Sequence, residues 1–375
     1  MLAPPFCPYK ACKNHTHPTD PEWFRPYGFH RTKAFGIVPR FRCLACERTF
    51  SSQSFSIDYY AKRLIDYRDL GDRHGGSMSL RGMARSLKAS CGTVQNRLER
   101  LDRQILALHA SLRAQASPDE AVCVDGFVSF DVSQFFPNEI TIAIAADSQF
   151  VLDLSHATRR RSGSMTEKQK EKAKELYAEI PIEHGGVQRS FRDILDSLER
   201  ERPPRVSQPL SLVTDEKKEY EWELHKHPLF IGQDAEHRVA HVQIHSKMAR
   251  TTSNPLFPSN YIDREIRKDQ ANHHRETLCF TRNVAKGMAR LSLYLFLHNY
   301  AKKFRIKAPV TADEVHAEKA GIPRLLIRRG LRTALRKRVF LSRISLPPTL
   351  ERIWTQDFVT PGLASPGSPP AFAFD

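Results

Sequence analysis

The sequence predicts a multidomain α/β protein, and three features of the chain lead to that fold class. Its 375 residues are too many for a single ordinary core, so two or three domains are expected. Four cysteines lie in two pairs near the N-terminus, in a segment with few helical periods. Helical periodicity over residues 55–112 then gives way to strand-like segments over 121–155 and to further helices.

Composition and charge narrow the class of partner. Hydrophobic residues make up 40% and charged residues 27%, as in a globular rather than a disordered chain. No apolar run approaches the roughly 18 residues that span a bilayer, and MLAPPFCPYK has no apolar signal core, so we expect a cytoplasmic protein without a membrane partner. The net charge of +16 favours nucleic acid as the partner. The alternative is a basic protein without a polyanion partner.

The N-terminal cysteines have the spacing of metal ligands. They are Cys7, Cys12, Cys43 and Cys46. Two close pairs on tight turns suit one tetrahedral Zn²⁺ with sulfur at about 2.3 Å, and four sulfurs leave no open position for catalysis. We therefore predict a structural zinc ribbon over residues 1–54, which gains folding energy from the metal. His15 or His17 could replace Cys12, and the alternative to a metal site is four free thiols.

A pair of short helices is predicted by SLRGMARSLKASCGTVQNRLERL, residues 79–101. In a helix-turn-helix, the second helix enters the major groove of DNA. We expect its outward side chains to reach base edges and phosphates. They are Thr93, Gln95, Asn96, Arg97 and Arg100. The alternative to a DNA-binding region over residues 55–115 is a purely structural helix pair.

Three aspartates occupy positions that suit a divalent-ion site. Asp125 lies inside the apolar strand AVCVDGFVSF, Asp215 follows the strand LSLVTD, and Asp263 opens a predicted helix. Carboxylates delivered from two strands and a helix suit two Mg²⁺ ions, whose charge offsets the desolvation of an aspartate in a strand. The alternatives are an ion pair of Asp125 with a buried base, a turn or cap at Asp215 with Glu216, and an N-cap at Asp263.

Several stretches together resemble a known family, the bacterial insertion-sequence transposases of the DDE superfamily. The resemblance covers roughly residues 5–320. It is carried by FRCLACERTFS, SLRGMARSL, VDGFVSF, SHATRRRSGSMT, LVTDEKKEY, RTTSNPLFPSNYIDREIR and ANHHRETLCFTRN. The family has a zinc ribbon, a helix-turn-helix and an RNase H-like catalytic domain with a mixed sheet. The resemblance implies that the RNase H-like domain spans residues 119–305.

The resemblance also implies the site residues. Asp125 matches the first acid of the family, Asp215 the second and Asp263 the third, which together hold two Mg²⁺ or Mn²⁺ ions. The superfamily usually has glutamate as the third acid, so Glu265 is the alternative. The implied activity is cleavage of DNA by water and joining of the freed 3′ hydroxyl to a target, without a covalent enzyme intermediate.

Basic residues extend the predicted DNA contacts beyond the helix pair. Arg159, Arg160 and Arg161 follow the third strand, where the alternative is a solvated charge run. His245, Lys247 and Arg250 precede the third acid. A helical stripe for the DNA backbone is expected in a basic extension over residues 306–344, and it consists of Arg324, Arg328, Arg332 and Arg336. Residues 345–375 are expected to form a flexible tail.

The resemblance implies double-stranded DNA as the partner, at both element ends and target, and a homo-oligomer acting on paired ends. It also implies association with the nucleoid. Two rival functions stay open at this point: a DNA-binding regulator that keeps the fold without the chemistry, and an RNase H-like nuclease that cuts but never joins.

Overall fold

The computed structural model describes residues 3–117, 119–201, 209–231, 239–274, 279–305 and 313–363. An antiparallel sheet comes first along the chain, in the order β1-β2-β3. Its strands are β1 (Phe24–Thr32), β2 (Gly36–Cys43) and β3 (Thr49–Ser51). The small core of this part joins aromatic rings, among them Trp23, Phe41 and Phe50, to the buried sulfurs of the paired cysteines.

Three helices follow, and each begins at a side chain that caps it. They are α1 (Tyr67–Gly75), α2 (Leu80–Ser86) and α3 (Cys91–Leu112). The caps are Asp66, Ser79 and Ser90, whose side chains accept backbone N–H groups of the first turn. The predicted helix pair is therefore present, but its second helix is 22 residues long.

A five-stranded mixed sheet forms the central layer. Its strands are β4 (Val122–Phe130), β5 (Pro137–Ala145), β6 (Val151–Thr158), β7 (Ser211–Asp215) and β8 (Ala240–Ile244), in the spatial order β6-β5-β4-β7-β8. The first three pair antiparallel through short turns, whereas β7 lies parallel to β4 and β8 parallel to β7. Parallel neighbours need long crossover connections, which the helices between them provide. The predicted mixed α/β architecture is confirmed.

The remaining helices surround this sheet and α3. They are α4 (Glu167–Glu179), α5 (Gly186–Glu201), α6 (Lys218–Lys226), α7 (Phe257–Asp269), α8 (Val284–Ala301), α9 (His316–Lys319), α10 (Arg324–Ala334) and α11 (Pro348–Thr355). A capping box of Thr166 and Gln169 begins α4. Among the described residues, no helix is both long and apolar enough to cross a membrane.

The sheet carries helices on both faces. Helix α5 packs on β5 and β6, where Thr141 and Ser190 share a hydrogen bond of 2.7 Å. Helix α7 packs on β4 and β5, and the Cys123 thiol donates to the carbonyl of Pro255 just before that helix. Since successive strand residues alternate between faces, Asp125 shares the α7 face with Cys123 and Phe127. Helices α3 and α8 pack on each other beside the sheet and share its apolar core.

The C-terminal part of the chain differs from the flexible tail expected over residues 345–375. Helix α11 buries Leu350, Ile353 and Trp354 in the main core, and the Arg103 guanidinium donates to the Trp354 carbonyl. Burial of those large side chains fixes the segment, because their apolar area is removed from water. Residues 364–375 of the expected tail and 306–312 of the basic extension lie outside the described residues. The domain boundaries stay a prediction.

Candidate active site and DNA interface

Asp125 and Asp215 lie on neighbouring parallel strands. The register pairs Val122 with Leu212 and Cys123 with Val213, so two further residues along each strand bring the aspartates side by side. Both share the face of Cys123 and Val213, because strand side chains repeat every two residues. The sheet therefore delivers two carboxylates to one point, at the end of β7.

The electrostatics of the two groups reflect this proximity. Burial and the nearby charge of Asp215 raise the pKa of Asp125 to about 6, against a hydrogen bond from Gly126 N–H and the charge of Lys217. Burial also raises the pKa of Asp215, whose Oδ1 accepts the Lys217 N–H at 3.2 Å. Two neighbouring carboxyl groups whose pKa values are both raised are a setting in which a bound cation is stabilised.

Asp263 lies within α7 rather than at its start, because the helix begins six residues earlier at Phe257. The N-cap alternative is therefore wrong. Leu256 packs with Cys123, and the Arg267 guanidinium lies 4.6 Å from the centre of the Phe127 ring. Asp263 follows Leu256 by seven residues and precedes Arg267 by four, so it lies on the same face of the helix as both. That face covers β4 between Cys123 and Phe127, which is where Asp125 lies.

The ligand atoms of the three aspartates do not all lie within 4.8 Å of one another in the part of the chain that the structure describes. A site for two ions about 3.5–4 Å apart spreads its ligands more widely than a site for one ion. In the described residues the three carboxylates thus form no compact cluster of the kind that the four cysteines do.

Glu265, the alternative third acid, points elsewhere. It is buried, and its Oε2 accepts hydrogen bonds from Lys302 and, at 2.9 Å, from Lys268. Although burial opposes ionisation, the hydrogen bonds and charges of these lysines lower the pKa of Glu265. Its charge is therefore compensated by two ammonium groups in this structure.

A second carboxylate in an apolar strand was missed by the sequence analysis. Glu139 on β5 is fully buried, and its Oε1 accepts from the Lys217 ammonium at 2.7 Å and the Tyr220 hydroxyl at 2.9 Å. Arg159 donates to its Oε2 at 2.6 Å. A side chain at Gly126 would collide with Glu139, since an added Cβ would lie 2.6 Å from Oε1. The signal was available, because PNEITIAIA carries a single acid in a mainly apolar strand, as VCVDGFV does.

The four paired cysteines meet at one point. The sulfur atoms of Cys7 and Cys46 lie 3.7 Å apart, those of Cys12 and Cys43 lie 3.6 Å apart, and all four fall within 4.8 Å of one another. Sulfur atoms about 2.3 Å from a central Zn²⁺ form a tetrahedron with edges of about 3.8 Å. The cluster therefore has the size and donor set of a four-cysteine zinc site.

The histidines that could have replaced Cys12 have other partners or positions. Both ring nitrogens of His15 are hydrogen-bonded at 2.7 Å, Nδ1 with the Cys7 carbonyl and Nε2 with the Ser342 hydroxyl. His17 is exposed. Burial alone would raise the pKa of Cys43, but hydrogen bonds from the Cys46 N–H and the Asn14 side chain lower it to about 7. Burial raises the pKa of Cys7 and of Cys12, so within this cluster Cys43 is the thiol shifted toward the thiolate form that ligates a metal.

The second helix of the predicted helix-turn-helix does not present its basic face to solvent. Gln95, Arg97 and Arg100 are buried. The Arg100 guanidinium donates to the carbonyls of Tyr59 at 2.6 Å and Ile57 at 3.1 Å, and it lies 4.0 Å from the centre of the Tyr59 ring. The expectation that these three side chains point outward is wrong, because neighbouring segments pack on that side of α3, and their contact with DNA stays a prediction.

The two other residues of the predicted reading face, Thr93 and Asn96, are half-buried and locally bonded. Thr93 Oγ1 shares a hydrogen bond of 2.9 Å with Ser90, and Asn96 Oδ1 accepts from Arg97. The first three arginines predicted to contact phosphate also have local partners. Arg159 pairs with Glu139, Arg160 lies over the Tyr177 ring, and Arg161 donates to Gln134.

The later basic residues are more open. Lys247 and Arg250 are exposed between β8 and α7. Arg324 forms ion pairs with Asp313 and Glu318. The rest of the predicted stripe, together with Arg68 from α1, lines a cavity of about 650 Å³. These residues are Arg328, Arg332 and Arg336, all exposed. The stripe therefore borders a cleft whose lining combines five arginines with three acidic residues, Asp66, Asp313 and Glu318, and carries a small net positive charge.

Comparison with known proteins identifies no family. No protein-family model matches the chain, and no curated protein matches it. Among solved structures, a chain of the cryo-EM structure of the simian T-cell lymphotropic virus intasome in complex with PP2A regulatory subunit B56 gamma is similar at 10% identity. The match covers 68% of this chain and 73% of that chain, with a TM-score of 0.25. A likeness of that size establishes neither fold nor function.

Proposed function

We propose that this chain is a metal-dependent DNA transposase of the DDE superfamily, with Asp125, Asp215 and Asp263 as the ligands of two Mg²⁺ or Mn²⁺ ions. One observation carries the proposal: two aspartates end up side by side on adjacent parallel strands, beneath a helix face that carries the third. A sheet of three antiparallel strands extended by two parallel ones is compatible with the RNase H-like domain that the motifs imply.

The donor set fits hard divalent cations. Carboxylate oxygens are the ligands that Mg²⁺ prefers, and the raised pKa of Asp125 and Asp215 indicates negative charge that the protein alone does not fully compensate. Bound ions would supply Lewis-acid activation of the attacking and leaving oxygens of a phosphodiester. The two lysine partners of Glu265 support Asp263 over it as the third ligand.

Lys217 and Glu139 position the acids from the opposite side of the sheet. The Lys217 backbone N–H donates to Asp215, which orients that carboxylate, and the Lys217 charge lowers the pKa of both Asp125 and Asp215. Glu139 in turn holds the Lys217 ammonium. This arrangement favours the ionised carboxylates that a metal site requires.

The proposed chemistry proceeds in two transfers at phosphorus. In cleavage, water adds to a phosphodiester of the DNA, the bond from phosphorus to the 3′ oxygen breaks, and the 3′ hydroxyl is released with a proton. In strand transfer, the oxygen of that hydroxyl bonds to the phosphorus of a target phosphodiester. The bond from this phosphorus to the 3′ oxygen of the target strand breaks, and the released 3′ oxygen takes up the proton of the attacking hydroxyl. The exposed arginine stripe and the residues Lys247 and Arg250 supply positive charge for the DNA backbone.

A single assay separates this function from its two rivals. The substrate is a plasmid that carries the coding segment of this chain with its flanking sequences, incubated with the full-length protein and Mg²⁺, Mn²⁺ or chelator. We expect nicking only with a divalent ion, and joining of pre-cut ends to a second plasmid. Binding without nicking under all conditions would favour a regulator. Nicking without joining would favour a nuclease.

A further inference from the structure

We propose that the β1–β2 hairpin is a DNA-reading arm that lies in the major groove and contacts bases through Phe29, Arg31 and Ile37. The proposal rests on the proposed function only in taking double-stranded DNA as the partner. It assigns the reading of sequence to a different element from the helix-turn-helix, whose basic side chains are largely buried.

The hairpin projects from the cysteine cluster as two strands. Strand β3 pairs only with residues 40–42 at its base, whereas β1 and β2 continue to pair up to Thr32 and Gly36. Residues 36–39 of β2 lie beyond β3, so at about 3.4 Å per residue the paired strands extend roughly 14 Å past it. Residues 25–31 of β1 are all exposed. A two-stranded ribbon is at best marginally stable alone, so contact with a partner is favourable.

One face of the hairpin is apolar and exposed. Phe29 pairs with Pro39 and Arg31 with Ile37, so these four side chains share a face. Phe29 is 64% exposed and Ile37 is 70% exposed. Large apolar side chains clustered in solvent indicate an interaction surface, because contact with a partner removes their area from water.

The charge of the hairpin identifies the partner. Residues 24–43 contain no aspartate or glutamate, and their five lysine and arginine residues are Arg25, Arg31, Lys33, Arg40 and Arg42. Two copies of such an arm would repel each other, whereas a polyanion would be attracted. The charge complementarity therefore favours nucleic acid over a second copy of this chain.

The dimensions of the arm fit one groove. The major groove of B-DNA is about 12 Å wide and admits a two-stranded β-ribbon. Phe29 and Ile37 would contact thymine methyl groups, and Arg31 between them would donate to O6 and N7 of a guanine. The basic residues near the base and tip of the hairpin, Arg25 and Lys33, would lie against phosphates.

The arm is held at both ends. At its tip, the Phe35 N–H donates to Thr32 Oγ1 at 2.9 Å, and Gly36 adopts a φ of +64°, which glycine accepts without strain. At its base, β2 ends at Cys43, inside the cysteine cluster. The arm therefore emerges from the part of the ribbon that a bound zinc would make rigid.

The test begins with a duplex that the full-length protein selects from a randomised library. Affinity for this duplex is measured for Arg31→Ala and for the double variant Phe29→Ser with Ile37→Ser. We expect a loss of roughly 5- to 150-fold for each, as for contacts to base edges. The wild-type protein should also protect guanine N7 in the duplex from methylation, and Arg31→Ala should lose one such protection. The controls Lys174→Ala and Val359→Ser, exposed on other surfaces, should bind like wild type.

Two results would overturn the proposal. The first is unchanged affinity and unchanged N7 protection in both hairpin variants, with zinc content and sedimentation like those of the wild type. The second is a protein that is dimeric without DNA, becomes monomeric in the Phe29 and Ile37 variant, and keeps its DNA affinity, which would assign the face to a second copy. Failure of the transposase proposal looks different, since the protein would then bind the duplex through the arm without ever cutting it.

Discussion

At the scale of the single residue, the burial of Asp125 opposes the ionisation of its carboxyl group, whereas the proposed metal site needs that group ionised. Its surroundings raise its pKa to about 6 through burial and the neighbouring Asp215, against roughly 3.9 in an unfolded chain. Between those two values the folded protein binds more protons than the unfolded one. The free energy of unfolding therefore falls as the pH rises from about 4 to about 6, and the deprotonated group stays destabilising above that window.

Asp125→Asn should for this reason stabilise the metal-free protein at pH 7.5. We expect a gain of roughly 1–3 kcal/mol in the free energy of unfolding. The gain shrinks toward zero below about pH 4, where Asp125 is protonated in both the folded and the unfolded wild-type protein. Urea unfolding across pH, with chelator present, measures it. The exposed Asp72→Asn serves as the control and should show no such pH-dependent gain. Saturating Mg²⁺ should stabilise the wild type more than Asp125→Asn, and equal effects of pH and Mg²⁺ on the two would contradict the assignment.

At the scale of the element, α3 shows how tertiary packing overrides a pattern read from one segment. Its apolar positions Val94, Leu98 and Leu101 predict one buried face, and that face is buried. The helix is also covered on other sides by α1, α2, α8, α10 and α11. The carbonyls that satisfy Arg100 come from a segment about 40 residues earlier in the chain, a pairing that no local period reveals.

Arg100→Ala should therefore act on stability before it acts on DNA. Loss of the buried guanidinium removes one hydrogen-bond donor from each of the carbonyls of Ile57 and Tyr59, and we expect a decrease of about 2–4 kcal/mol in the free energy of unfolding. Thermal or urea unfolding measures it. Asn96→Ala, on the same helix but half-buried, should cost less than about 1 kcal/mol. A fully stable Arg100→Ala protein with weakened DNA binding would restore the predicted recognition helix.

The cysteine cluster makes a prediction for the N-terminal sheet. Metal analysis of freshly purified protein should give one zinc per chain, and Cys43→Ser should lose most of it, because the site needs all four sulfurs. Limited proteolysis should then cut within residues 3–51 first. Cys91→Ser, which changes an exposed cysteine far along the chain, should keep the metal. Absence of zinc from the wild type prepared without chelators would show that the cluster is four free thiols.

At the scale of the whole molecule, the strands of the central sheet are easier to predict from the sequence than the helices that pack around it. Apolar runs with single acids placed Asp125 inside β4 and Asp215 at the end of β7, since strands have a short and strict period. The start of α7 and the packing of α11 were missed, because both depend on contacts with distant parts of the chain. Glu139 escaped notice for a different reason: its role lies in Lys217 and Arg159, which only the fold brings to it.

The surplus of positive charge belongs to this scale as well. Arg328 and Arg332 border the cleft beside α10, and they are part of a chain whose net charge is +16. Their joint replacement by alanine should lower the slope of log affinity against log salt by about two, because each phosphate contact contributes about 0.9. Sequence preference should not change. The matched control is Lys168→Ala with Lys174→Ala on α4, and an equal loss of slope in both double variants would show only a general effect of charge.

The central claim is that three aspartates, and not Glu265, hold the ions for DNA cleavage. Nicking and DNA binding should be measured side by side for Asp125→Asn, Asp215→Asn, Asp263→Asn and Glu265→Gln, with Asp72→Asn as the control. Asparagine keeps the volume of the side chain and removes the ligand charge, so each of the three aspartate variants should lose orders of magnitude in nicking rate while still binding DNA. Glu265→Gln should retain nicking in proportion to its folded fraction. Normal cutting by all three aspartate variants, or full activity of Asp263→Asn beside a folded but inactive Glu265→Gln, would contradict the account.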